Sequence, residues 1–138
     1  MPVLIRIALA VLISQALFAP VLTAAPAVKA DDALTPVMAG EFALQAGQLD
    51  EAARWYLQAA QAGDDAGLAE RATRIALLAN DDDRAAQGLK LWRQRAPQSM
   101  AMRGAEAALA LRKGDTVVAR RGLDALLRDK EDLGWRYA

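Results

Sequence analysis

The residues best equipped for chemistry in this chain are carboxylates, arginines and a few hydroxyls. Asp81-Asp82-Asp83 is the densest acidic run and the first candidate for a metal ion. Calcium or magnesium needs oxygens that converge from spaced positions of a loop, and three adjacent side chains at a helix start diverge instead. No further ligand spacing follows, so capping of a helix and attraction to its positive end explain the run better. Arg120-Arg121 with Arg128 could contact a phosphate. Their acidic neighbours Asp124 and Asp129 predict a salted outer helix face instead. The serine and threonine hydroxyls beyond residue 30 are Thr35, Thr73, Ser99 and Thr116. The chain has no histidine and no cysteine, so these hydroxyls lack the usual base and no thiolate is available. No glycine-rich phosphate loop occurs. The inventory predicts a protein that is not an enzyme and has no catalytic, metal or cofactor site. Seventeen basic and seventeen acidic residues cancel, without the basic excess expected of a nucleic-acid binder.

What remains is a question of architecture. At 138 residues the chain is one domain at most, and 33 alanines and 20 leucines against 5% aromatics favour helix over sheet. The first thirty residues stand apart. Residues 3–19 are apolar except for Arg6, Ser14 and Gln15, too short a clean run for a membrane span of ~20 residues. Small residues follow, with Ala25-Pro26-Ala27 and Val28-Lys29-Ala30 as cleavage sites ending at Ala27 or Ala30. A charged start, an apolar centre and a small-residue end predict a signal peptide over residues 1–30 and a mature chain from 31 to 138. The alternative reading is an uncleaved segment holding the protein to the inner membrane.

In the mature region three breaks line up: Ala46-Gly47-Gln48, Ala79-Asn80-Asp81 and Lys113-Gly114-Asp115, at intervals of 33 and 34 residues between Gly47, Asn80 and Gly114. Glycine and asparagine tolerate the left-handed backbone that ends a helix and reverses the chain. Asp50, Asp81 to Asp83 and Asp115 are then expected to cap the next helix. A second series keeps the same period. Ala52, Ala85 and Ala119 are followed four residues on by Tyr56, Leu89 and Leu123, a small residue for close approach and a larger one to fill the space beside it. Leu49, Ala52, Ala53, Tyr56 and Ala59 fall at helical offsets, and so do Ala85, Leu89, Trp92 and Ala96. Helices are therefore expected near 35–46, 49–62, 66–79, 82–95, 99–113 and 116–129, with the start of a further helix at 134–138. They pair into units of about 33–65, 66–99 and 100–133.

This pattern resembles the tetratricopeptide repeat. The resemblance rests on Gly40, Gly47, Ala52, Tyr56 and Ala59 in the first unit, Thr73, Asn80, Ala85, Leu89 and Pro97 in the second, and Ala107, Gly114, Ala119 and Leu123 in the third. Trp92 and Leu126 stand where that family has a small residue. The phrases Gly40-Glu41-Phe42-Ala43-Leu44-Gln45-Ala46-Gly47 and Ala69-Glu70-Arg71-Ala72-Thr73-Arg74-Ile75-Ala76 look like the N-terminal part of exported proteobacterial members. The resemblance implies an all-α fold, a right-handed superhelical array of helix-turn-helix hairpins (an α-solenoid). It also implies a groove, lined by the first helix of each hairpin, that binds another protein or peptide.

The groove residues it implies are Glu41, Leu44, Gln45, Glu70, Arg74, Leu78, Leu111 and Arg112. The expected role is an adaptor or scaffold in the periplasm, with a protein partner, no nucleic acid and no cofactor, touching a membrane only through an uncleaved N-terminal segment. The alternatives are a membrane-attached structural protein and a truncated remnant of a longer repeat protein. The last helix is expected to be sticky along Leu123, Leu126 and Leu127 unless further chain or a partner covers it.

Overall fold

A computed structural model describes residues 29–128. The apolar stretch at 3–19, the cleavage site at Ala27 and the further helix expected at 134–138 lie outside the described residues. Six helices follow one another: α1 (Lys29–Gln45), α2 (Leu49–Ala62), α3 (Ala66–Leu78), α4 (Asp82–Arg95), α5 (Met100–Arg112) and α6 (Thr116–Leu127). Among the described residues there is no strand, and no helix is long and apolar enough to cross a membrane. The chain is an all-α array of consecutive helix pairs.

The three predicted breaks share one geometry. Gly47, Asn80 and Gly114 take φ of 72°, 58° and 75°. At each, the next amide bonds back five residues: Gln48 to Ala43 (2.8 Å), Asp81 to Ala76 (2.9 Å) and Asp115 to Ala110 (2.8 Å). This is the motif by which a left-handed residue satisfies the last carbonyls of a helix. Four helix starts are closed by side chains. Asp65, Asp81, Ser99 and Asp115 accept from the amides of Gly67, Arg84, Met102 and Val118. The cap expected of Asp50 is not formed: Gln48 stands at that position without a side-chain bond, and Asp50 lies inside the first turn of α2.

The first helix starts at Lys29 rather than near residue 35, so the boundary expected at residue 31 falls inside α1. Acidic residues favour a first turn, and Ala33 is only 7% exposed and sits beside Gly63 at the far end of α2. Pro36 lies in the helix interior, where it has no amide to donate to the carbonyl one turn before it.

Ala52, Ala85 and Ala119 are buried to 0%, 0% and 1% exposure, as the repeat requires. Around them the helices cross closely, and the crossing residue moves. In the first pair the space over Gly40 is taken by the Tyr56 ring, which would lie 2.7 Å from an added Cβ. In the second pair Gly88 abuts Thr73, and in the third Gly122 abuts Ala107. The joints between pairs differ too. α2 packs along much of α3, whereas α4 meets α5 over a smaller area. α1 lies against α2, and α6 against α5. Arg95 reinforces the first joint from below, donating to the carbonyls of Ala60 and Gly63 at 2.7 Å and of Asp65 at 3.1 Å. These carbonyls close α2 and its turn, and a cation there also meets the negative end of the helix.

Candidate functional site

The first helices α1, α3 and α5 carry the residues expected to line a groove. Of these, Leu78 at the end of α3 and Leu111 near the end of α5 are 66% and 56% exposed. Gln45 at the end of α1 is exposed as well, while Leu44 is half-buried and packs on the core. A depression of about 620 Å³ opens beside Leu78, between the α1–α2 turn at Gly47-Gln48 and the α3–α4 turn at Ala79-Asn80. Leu49 and Glu51 line its other side. Arg54 hydrogen-bonds the Glu51 carboxylate and holds it below the ordinary carboxylate range. The site is thus an open surface with leucines at its edges.

The four charged residues divide in two. Glu70 and Arg74 pair with each other on the exposed face of α3 at 2.7 Å, and an exposed pair of this kind contributes little to stability. They remain accessible to a ligand. Glu41 and Arg112 are as exposed but bond to other helices of the array. Glu41 accepts from the Tyr56 hydroxyl and pairs with Arg71 of the next unit. The Arg71 guanidinium also lies 4.8 Å over the Tyr56 ring. Arg112 donates to the Leu77 carbonyl at 2.8 Å and pairs with Asp82 at 2.8 Å, tying α5 to the end of α3 and the start of α4.

The remaining charged runs fall out in the same way. Asp81 caps α4 and pairs with Arg84, Asp82 pairs with Arg112, and Asp83 is exposed, so the three carboxylates diverge. The ion pairing expected between Asp124 and the arginines of α6 is not formed among the described residues, and Asp129, the other expected partner, lies outside them. Arg120, Arg121 and Arg128 stand along one face of α6 beside Asp124 and border a shallow depression of about 670 Å³. Leu126, expected on an outward face, is buried against α5 at 1% exposure, while Leu127 is 67% exposed. Helical spacing explains the difference, since consecutive residues are turned by about 100°.

The Glu41–Tyr56–Arg71 cluster has a signal that residue patterns do not carry: three residues from three helices meet because Gly40 admits the ring. Burial first, and then the bond to Glu41, push the Tyr56 phenol up to about 12. The folded state therefore favours the neutral phenol. The stability this contributes is present in full below the ordinary value near 10 and is lost as pH rises through about 12. Tyr56→Phe should flatten the fall in urea midpoint over that window relative to the parent chain. Parallel curves for the two would show that the phenol does not ionise on unfolding.

No protein-family model matches this chain, and no curated protein aligns with it significantly.

Proposed function

We propose that this chain is an exported helical-repeat adaptor of the tetratricopeptide kind, which holds a segment of another protein along α1, α3 and α5. The observation that carries the reading is the exposure of Leu78 and Leu111 at matching ends of consecutive first helices, 66% and 56%. Isolated exposed leucines are ordinary, but two in the last turns of consecutive first helices, one register position apart, offer apolar contacts to an extended or helical ligand. The accessible Glu70–Arg74 pair supplies a donor and an acceptor beside them. Export to the periplasm is supported by the apolar stretch at 3–19 and the small residues before Ala27 and Ala30. Chemistry, in this reading, belongs to the partner.

The test is capture from envelope extract with the full chain, compared with Glu70→Ala/Arg74→Ala and with Leu78→Ala/Leu111→Ala. These residues are exposed, so helix content should be unchanged. A partner specific to the groove should fall about tenfold in recovery with the leucine pair, the loss of roughly 1.4 kcal/mol of binding. Recovery of the same partners by all three proteins would remove the groove assignment. Mass spectrometry of the N-terminus in exporting cells tests the localisation, with a new terminus directly after Ala27 or Ala30 as the expected result.

A further inference from the structure

We propose that the two ends of the array are complementary, so that α6 of one copy docks against α1 of a second copy of this chain, head to tail. The template lies inside the molecule. In α3, Arg71 and Ile75 face the preceding second helix: Arg71 lies over the Tyr56 ring of α2, and Ile75 is 5% exposed. The equivalent residues of α5, 34 further on, are Ala105, packed against the core, and Leu109, 6% exposed. Counting 33 back from Arg71 and Ile75 gives Met38 and Phe42 on the same face of α1, with Leu34 one turn earlier. Here nothing among the described residues covers them, and Leu34, Met38 and Phe42 are 54%, 51% and 63% exposed.

The opposite end is the converse surface. Ala86, Leu89 and Arg93 stand on the side of α4 turned to α5, and Arg93 pairs there with Glu106. Their equivalents 34 residues on are Arg120, Leu123 and Leu127, the last 67% exposed. The charges also match. Arg120, Arg121 and Arg128 have no ion pair among the described residues, whereas α1 has the exposed Asp32 and no basic residue from there to Gln45, its Glu41 being already paired with Arg71. Opposite charges at the rim steer and orient an apolar contact. A pair made of two α1 stripes would instead leave the α6 arginines unanswered. A contact between unlike ends is heterologous and propagates into chains or closes into rings. This inference uses the end faces alone and does not depend on the groove.

The test is sedimentation velocity of the full chain, from about 10 µM to about 1 mM, the range in which weak contacts form. The average mass should rise at least twofold. Met38→Glu blocks one end and Leu127→Glu the other, so each variant alone should stay at the monomer mass. Mixed one to one, the two variants still have one good pair of ends between them, and a dimer with nothing larger should form. A parent chain that stays monomeric at the top concentration overturns the proposal, whatever covers its ends. Association that survives both substitutions overturns it too, as does a mixture of the variants that remains monomeric.

Discussion

Gly88→Ala should destabilise the protein by about 2 kcal/mol, although the same change in a solvent-facing helix would stabilise by up to ~1 kcal/mol. An added Cβ would lie 2.7 Å from the Thr73 hydroxyl oxygen, 3.0 Å from the Thr73 nitrogen and 3.2 Å from its α-carbon. Two of these three neighbours are backbone atoms of α3 and cannot turn aside. The hydroxyl is held as well, because Thr73 is 1% exposed and donates to the Ala69 carbonyl at 2.7 Å. The helices must therefore separate, and overpacking of this kind costs ~1–3 kcal/mol beyond the propensity gained. Urea denaturation measures it directly. Thr73→Ala in the same background should recover less than half of the loss, since the added methyl still presses on the α3 backbone. Gly122→Ala is the control: its Cβ would meet the Ala107 methyl at 3.1 Å and no backbone atom closer than 3.7 Å. There the two effects should cancel to within about 0.5 kcal/mol. A rise in the urea midpoint for Gly88→Ala would mean that α3 and α4 have room to spare at their crossing.

The contrast between these two glycines shows where residue patterns stop being informative. Gly47, Asn80 and Gly114 could be read in advance because a helix that must reverse needs a left-handed residue followed by a cap, and both requirements are local. The buried alanines could be read because close helix approach repeats every 33 or 34 residues. Gly88 and Gly122 sit on the apolar side of helices, in positions any small residue could hold, and only the crossing of α3 over α4 separates them. At the groove the residue types were legible but their employment was not. Glu41 and Arg112 look as free as Glu70 and Arg74 in one dimension. Arg71, one unit on from Glu41, and the Leu77 carbonyl beside Arg112 become neighbours only when the pairs stack.

Trp92→Ala should give the largest loss of any single truncation, about 4 kcal/mol, within the ~3–5 kcal/mol typical of buried Trp. That is a large share of the ~5–15 kcal/mol that holds a domain together. Trp92 is 2% exposed. The structure accommodates it at the joint where α4 meets α5 over a smaller area than α2 meets α3, in one core with Leu89, Met102 and Leu109. The polar ties across that joint are weak substitutes. The Arg93–Glu106 pair is half-exposed, and Arg112 reaches across by one carbonyl and one carboxylate. The loss should accordingly fall unevenly. Stacked repeats are held by nearest-neighbour interfaces, so weakening one joint lets the units beyond it open separately. Amide hydrogen exchange should therefore accelerate most in α5 and α6, while α2 and α3 keep more of their protection. Trp92→Phe keeps an aromatic anchor in the same space and should restore about half of the loss. Equal loss of protection in all six helices would show that the array opens as one unit and that Trp92 is not what couples the third pair to the first two.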